Sequence, residues 1–357
     1  MKRHAVIVGL AVLGSGLGFH DQLNAQQQTL GLTLPLASPR AEVAQVVGVT
    51  EIDITYHRPA VNEREIWGGL VPYDQIWRSG ANENTLISFS TDVTVEGQPL
   101  AAGTYGLHSV PGESEWQVVF SSDITAWGSF SYNEENDVLR ITVQPEAAPH
   151  EERMTFAFDD VTNESATIAL RWEKLRLPVK IEVDTETLAL DSIREQLKGL
   201  SQFFWMGWNQ AANYCLTNEV NYEEALEWAE SSIQAEERFE NLSTKAQLLE
   251  KTGDSAQSAE IMVKALDIGN AGQLHQYGRQ LLTQDQKEEA LAVFQRNAEQ
   301  NSDAWFVGVG LARGYSALGE YDKAAESMKV ALEKAPENQK AYIQSLVDRL
   351  ESQEDIN

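Results

Sequence analysis

The sequence is short of cysteine and of basic residues, and both shortages exclude classes of protein. Cys215 is the one cysteine, so the chain can form neither an intramolecular disulfide framework nor a cysteine-rich metal cluster. Lys and Arg number 27 against 54 Asp and Glu, which gives a formal net charge of −27. Because nucleic acids and anionic membrane surfaces attract clustered positive charge, neither is expected as a partner.

Motifs of the common catalytic centres are missing as well. The sequence has no His-Glu-x-x-His, no Gly-x-Ser-x-Gly and no phosphate-binding glycine loop. His57, His108 and Glu83 could form a metal site only if their strands adjoined, so neither a metal nor a cofactor is expected. Cys215 falls in a predicted helix, where a buried free thiol is the default. These absences favour a protein that is not an enzyme.

The apolar run near the N-terminus is too short to span a membrane, because a transmembrane helix needs about 20 apolar residues. Lys2 and Arg3 precede an apolar run from Ala5 to Leu17, and a small-residue cleavage pattern ends at Ala25. This order is typical of a secretory signal peptide. We therefore expect residues 1–25 to be removed near Ala25, leaving a periplasmic or secreted chain without a transmembrane segment.

From about residue 40 to residue 183 the hydrophobic period is close to two. Ile52, Ile54 and Tyr56 alternate with polar residues, as in a half-buried strand. Further strands are predicted at Leu86–Phe89, Thr104–Val110, Trp116–Phe120, Val138–Val143, Met154–Phe158, Ala166–Trp172 and Leu175–Val183. Many short strands separated by turn residues, with no long helix between them, predict an antiparallel β-sandwich over residues 38–184.

After Asp184 the pattern becomes helical and repeats. A motif that ends in a small residue recurs at Ala225, Ser258, Ala290 and Ala324, at intervals of about 33 residues. In the last copy, the order of Tyr315, Gly319, Ala324, Met328 and Pro336 resembles the tetratricopeptide family. The resemblance implies an all-α solenoid over residues 187–352, closed by a capping helix at Ala341–Leu350. Stacked helical pairs offer a groove for a protein or peptide partner.

The densest motif of the β half includes Trp77-Arg78 and Gly80-Ala81-Asn82-Glu83, followed by Thr85. With Gly103–Tyr105, Trp127-Gly128 and Asp137–Arg140, it resembles the exported bacterial family called domain of unknown function 2911. The likeness covers roughly residues 37–183. It implies a shared fold and export, and it brings no established chemistry.

Side chains of this motif are candidates for a ligand site. Arg78, Asn82 and Glu83 offer a guanidinium fork, an amide and a carboxylate, with Trp77 as an apolar wall. The full candidate set is Trp77, Arg78, Asn82, Glu83, Thr85, Tyr56 and Arg58. The alternative is an internal network in which Arg78 pairs with Glu83 and Asn82 satisfies backbone groups.

The aromatic residues of the β half leave a similar choice open. Trp67, Trp116, Trp127 and Tyr132 fit either a carbohydrate platform or packing of the core and rim.

The sequence as a whole predicts an exported, non-enzymatic interaction protein. In this interpretation the helical repeats engage a protein partner, and the β domain is a candidate to bind a ligand. Two alternatives stay open: a binding protein for a small polar ligand or a carbohydrate through the β domain, and an uncharacterised hydrolase centred on Glu83.

Overall fold

The computed structural model describes residues 34–357, so the predicted signal peptide at residues 1–25 lies outside the described residues. The chain divides into two compact units, one ending at Thr185 and the other running from Glu186 to Asn357. Antiparallel strands form the first unit and helices form the second. This arrangement confirms the predicted fold class.

Ten strands occur in the described part of the first unit. They are β1 (Arg40–Val47), β2 (Thr50–His57), β3 (Thr85–Phe89), β4 (Val93–Val95), β5 (Gln98–Leu100), β6 (Gly103–Val110), β7 (Trp116–Ser121), β8 (Asp137–Val143), β9 (Glu146–Asp159) and β10 (Ser165–Glu182). One sheet has the order β1-β2-β3-β6-β7-β8, and the other has the order β5-β4-β10-β9. All the pairings between these strands are antiparallel.

The two sheets share one hydrophobic core, because alternate side chains of each strand face inward. Ile54 of β2 lies opposite Ile87 of β3, and both are buried. An apolar cavity of about 20 Å³ remains between the sheets, with Leu107 of the first sheet and Ile168 and Leu170 of the second among its lining residues.

The strand prediction was wrong at β10, where the structure has one strand in place of the two predicted segments. Its pairing with β9 shifts register on both sides of Glu173, which has a φ of 56°. A β-bulge of this kind places one extra residue in a strand without ending it. The strands β1, β4 and β5 were not predicted, since β1 is largely exposed and β4 and β5 have three residues each.

Tryptophan rings join the two sheets at one end of the core. Trp116 on β7 and Trp172 on β10 are both 1 % exposed. Trp67 and Trp77 come from the segment between β2 and β3, and Trp67 contacts Trp116 and Trp172 at centroid distances of 4.9 and 5.6 Å. Trp77 stacks on Trp172 at 6.1 Å. We call these four residues the tryptophan cluster.

Ten helices form the described second unit. They are α1 (Thr185–Gln196), α2 (Trp205–Asn218), α3 (Tyr222–Ala235), α4 (Phe239–Lys251), α5 (Ser255–Ile268), α6 (Ala271–Thr283), α7 (Lys287–Gln300), α8 (Trp305–Ala317), α9 (Tyr321–Lys334) and α10 (Glu337–Glu351). None of them is both long and apolar enough to cross a lipid bilayer.

The predicted repeat is present in these helices. Ala225, Ser258, Ala290 and Ala324 are each the fourth residue of α3, α5, α7 and α9, and these four helices have 14 residues each. All four anchor residues are buried, and the three alanines are fully buried. The interval of about 33 residues therefore corresponds to one helical pair, as in a tetratricopeptide-like solenoid.

The first helices of successive pairs lie beside one another, and we call α2, α4, α6 and α8 the inner row. Contacts between neighbouring members join α2 to α4 and α6 to α8. Between α4 and α6, Gln273 donates to Glu240 at 2.7 Å, and the rings of Phe239 and Tyr277 lie 6.2 Å apart. Beyond α10, Ile356 packs into the core that α8, α9 and α10 form.

Phe294 of α7 is fully buried against glycines of α6 and α8. A Cβ at Gly278 would lie 2.5 Å from the Phe294 ring, and a Cβ at Gly310 would lie 2.7 Å from it. Glycine is therefore required at these two positions for close helix packing, because a methyl group would displace the Phe294 ring.

We expect Gly278→Ala to destabilise the helical unit by about 1–3 kcal/mol, the usual cost of overpacking a core. Gly272→Ala in the exposed first turn of the same helix is the matched control, and we expect it to be neutral or slightly stabilising. The midpoint of urea unfolding, followed by circular dichroism at 222 nm, measures both effects. Equal midpoints for the two variants would contradict this account of the packing.

Candidate functional site

The segment of residues 58–84, which links β2 to β3, carries most of the predicted site residues. At its start, Arg58 donates from Nε to the carbonyl oxygen of Met154 at 2.9 Å and from Nη2 to Thr155 Oγ1 at 2.6 Å. Tyr56 is buried, and its hydroxyl accepts a hydrogen bond from the backbone N–H of Phe156 at 3.1 Å. Tyr56 and Arg58 therefore tie the first sheet to β9.

Trp77 and Thr85 hold the turn that carries Arg78. The backbone of Trp77 exchanges two hydrogen bonds of 2.8 Å with Ser109, and its indole Nε1 donates to the carbonyl oxygen of Gly80 at 3.0 Å. Thr85 is fully buried and donates from Oγ1 to the carbonyl oxygen of Ser79 at 3.0 Å. Both side chains thus have structural partners within the fold.

Asn82 also has a structural contact, and the backbone around it is strained. Its Nδ2 donates to the carbonyl oxygen of Ser38 at 3.2 Å, so it satisfies a backbone group. Ser79 and Asn82 have φ values of 49° and 57°, in the left-handed region that residues with side chains rarely adopt. Strain of this kind is frequent where a turn must aim a side chain in a set direction.

Arg78 projects from this strained turn toward the loop between β7 and β8. Its guanidinium carbon lies 5.6 Å from the ring centroid of Trp127. The structure places no hydrogen-bond acceptor of residues 34–357 on its nitrogens, and Nε is buried. Burial lowers the pKa of Arg78, and the nearby Glu83 acts in the opposite direction.

Glu83 faces His57, where β2 ends. His57 Nε2 lies 3.4 Å from Glu83 Oε2, and His57 is 5 % exposed whereas the side chain of Glu83 is 46 % exposed. Burial lowers the pKa of His57, against the raising effect of Glu83 and with Arg40 and Arg78 adding to the decrease. In the described part of the chain the carboxylate of Glu83 therefore faces the imidazole of His57 and does not pair with Arg78.

The loop of residues 122–136, between β7 and β8, presents two aromatic rings to solvent. Trp127 is 60 % exposed and Phe130 is 86 % exposed. Their rings stack at a centroid distance of 6.1 Å with an interplanar angle of 16°. Of the other aromatic residues proposed for a platform, Trp67 and Trp116 belong to the tryptophan cluster, whereas Tyr132 lies in this loop.

Hydrogen bonds to β8 anchor the same loop. The hydroxyl of Tyr132 donates to the carboxylate of Asp137 at 2.8 Å and accepts from Arg140 Nη2 at 2.6 Å. Burial and this hydrogen bond to Asp137 raise the pKa of Tyr132 to about 12. Ser129 Oγ lies 3.5 Å from Nδ1 of the buried His108. These contacts therefore fix the loop that carries the two exposed rings.

The structure brings together Arg78 and Glu83 of the predicted set, with His57, Trp127 and Phe130 beside them. We call these five residues the Arg78 cluster. The sequence pointed to His57 only as a candidate metal ligand, and Phe130 was not among the candidate site residues. Among residues 34–357 there is no group of three or more histidine, cysteine, aspartate or glutamate side chains placed to hold a metal ion.

Basic residues of the helical unit are paired, with few exceptions. Twelve of them form ion pairs within the described residues: Arg194, Lys198, Arg238, Lys245, Lys251, Lys264, Lys287, Arg296, Lys323, Lys329, Lys340 and Arg349. Of the remaining three, Lys334 donates to the carbonyl oxygen of Ser302 at 2.7 Å, whereas Arg279 and Arg313 have no carboxylate within ion-pair distance in that part of the chain. Both lie on the inner row, in α6 and α8.

His275 lies between these two arginines and two phenylalanine rings. Its ring centroid is 5.8 Å from that of Phe294 and 5.6 Å from that of Phe306. Burial, followed by repulsion from Arg279 and Arg313, lowers the pKa of His275 to about 4. The inner row thus combines an exposed arginine, a buried arginine and a neutral histidine.

Cys215 is buried in α2 against the core of the first repeats. Burial raises the pKa of its thiol to about 11, so the reactive thiolate is scarce at neutral pH. Its position fits the predicted structural thiol.

The fold and these sites define a chain of antiparallel β-sheets followed by tetratricopeptide-like helical repeats. Residues 38–181 match the family model described as "Protein of unknown function (DUF2911)". This match confirms the family resemblance of the β unit. No curated protein matches the chain.

Solved structures similar to the chain include two repeat proteins. YrrB, described as a TPR protein with an unusual peptide-binding site, is 16 % identical over 46 % of this chain and 86 % of its own, with a TM-score of 0.27. MamA from residue 41 to its end, from Desulfovibrio magneticus RS-1, is 19 % identical over 42 % of this chain and 88 % of its own, with a TM-score of 0.27.

We expect the helical unit to lose stability as the pH falls from 6.5 toward 4. In this range the unfolded chain binds a proton at His275 that the folded unit excludes, because the pKa of the folded group is lowered to about 4. His275→Gln removes the titrating group and should flatten this part of the stability profile. Urea midpoints measured across the pH range test the slope, and parallel profiles for the two proteins would contradict the assignment.

Proposed function

We propose that this chain is an exported, non-enzymatic binding protein whose helical repeats hold an acidic segment of a protein partner. The N-terminal pattern of residues 1–25 supports export. The observation that carries the binding role is the pair of inner-row arginines, Arg279 and Arg313, which lack carboxylate partners in a unit whose other basic side chains are nearly all paired.

The positive charge of Arg279 and Arg313 favours an acidic partner. The chain has twice as many acidic as basic residues, so carboxylates are abundant for pairing. Two arginines on neighbouring helices lie outside ion-pair distance of the described carboxylates, with Asp355 acting on Arg313 only from farther away, and they leave a local positive site on an otherwise negative chain. A carboxylate from outside would relieve the repulsion between the charges of Arg279 and Arg313.

The positions of the two arginines indicate how a partner is bound. Arg279 is exposed, so it can reach a ligand, whereas Arg313 is 9 % exposed and donates from Nη1 to the carbonyl oxygen of Ile356 at 2.8 Å. Arg279 therefore makes the direct contact, and Arg313 adds positive potential behind it. An extended segment lying across successive inner-row helices fits this mode of recognition.

Site-specific photo-crosslinking tests this function. A photoreactive amino acid replaces Gln276, an exposed residue one turn from Arg279 on α6, in the chain exported by its own cells. We expect one dominant cross-linked partner, and Arg279→Glu should reduce its yield about tenfold through charge repulsion.

The matched control places the same photoreactive residue at Val263, which is 51 % exposed on α5 and outside the inner row. We expect no specific product from that position. The proposal fails if residue 276 gives no product, if both positions give the same product, or if the yield does not respond to Arg279→Glu.

A further inference from the structure

We infer that the Arg78 cluster of the β unit is a binding site for a neutral oligosaccharide. The inference is independent of the partner proposed for the helical unit, because it rests on residues of the first unit alone.

Trp127 and Phe130 provide an apolar face of a kind that carbohydrate rings fit. Trp127 is the one exposed tryptophan in the described part of the β unit, where Trp116 and Trp172 are buried and Trp67 and Trp77 are half-buried. Its ring stacks on that of Phe130 in a nearly parallel arrangement. The C–H face of a pyranose ring is apolar and flat enough to stack on an aromatic ring, which removes both surfaces from water.

Hydrogen-bonding capacity lies immediately beside this face. The guanidinium of Arg78 is positioned over Trp127, and besides the buried Nε it has four N–H donors on its Nη atoms, with no acceptor among the described residues. Glu83 offers the Oε1 atom of its carboxylate, since Oε2 is buried beside His57, and its backbone is bridged to that of Trp127. A sugar hydroxyl both donates and accepts, so one ligand can satisfy the arginine and the carboxylate together.

The balance of charges selects a neutral ligand. An anionic group that pairs with Arg78 would also meet the carboxylate of Glu83, and a cationic group that pairs with Glu83 would also meet Arg78. His57 adds no compensating positive charge at neutral pH, because burial lowers its pKa. A neutral polyol pays neither penalty of charge repulsion.

The site is held in place before a ligand arrives. A Cβ at Gly128, which has a φ of 77°, would lie 2.7 Å from Arg78 Nη1 and 3.0 Å from the Phe130 ring. Glycine at this position therefore lets the guanidinium and the aromatic ring approach the same backbone. With Tyr132 and Asp137 anchoring the loop, little conformational entropy remains to be lost on binding.

The inference is tested by passing residues 26–357 over immobilised oligosaccharides of two to six sugar units. One set consists of neutral hexoses or N-acetylhexosamines, and acidic and basic oligosaccharides of the same length form the comparison sets. We expect retention of at least one neutral oligosaccharide, with affinity measured by isothermal titration calorimetry, which does not depend on the fluorescence of Trp127. Trp127→Ala should weaken that affinity about tenfold, which corresponds to 1.4 kcal/mol. Phe203→Ala, at an aromatic residue of the helical unit that is 70 % exposed, is the control and should leave the affinity unchanged.

Glu83→Gln provides a second variant of nearly unchanged shape, which should weaken the affinity while the melting temperature stays close to that of the parent chain. The inference is overturned if none of the neutral oligosaccharides is retained, if retention survives Trp127→Ala unchanged, or if acidic or basic oligosaccharides alone are bound.

Discussion

The contact of four tryptophan rings is the constraint on which the β unit depends. Trp116 and Trp172 belong to different sheets, and Trp67 and Trp77 fill the space between them from the segment of residues 58–84. The indole N–H groups of Trp67, Trp116 and Trp172 are buried without a partner in the described residues, which costs about 1–3 kcal/mol for each group. Burial of such large apolar surfaces, about 150–250 Å² for each ring, offsets that cost.

Fixing Trp77 also fixes its neighbour Arg78. The backbone of Trp77 pairs with Ser109 on β6, so the chain leaves the tryptophan cluster in a set direction. The strained turn at Ser79 then carries the guanidinium to Trp127 on another loop. Ring packing and the backbone bridge to Ser109 thus position a side chain on an irregular segment.

Local patterns in the sequence were enough to predict the helical unit. The repeat was visible because each helical pair contacts its neighbours, so the same residue type is needed at the same place in every copy, as at Ala225 and Ala290. The pairing state of Arg279 was not visible, since it depends on side chains of other helices. The direction of a side chain across a solenoid is likewise a property of the assembled repeats.

The β unit was predictable in class and less so in its site. Alternation gave most strands, but the bulge at Glu173 merges two of them, and no local signal distinguishes a bulge from a turn there. The motif drew attention to Arg78 and Glu83, whereas Tyr56, Arg58 and Thr85 proved to have structural partners. Phe130 became relevant only through stacking on Trp127, a contact that the periodicity of a strand does not encode.

The difference between nearest-neighbour and distant contacts also sets how the two units acquire their structure. Arg58 bonds to Thr155 across 97 residues, so the β unit must close long loops before its sheets gain stability. In the helical unit Ser258 donates to Ala246 across 12 residues, and each hairpin can form from a short stretch of chain. The later-synthesised half therefore has the shorter route to its native state, and the earlier half depends on the whole of its own sequence being available at once.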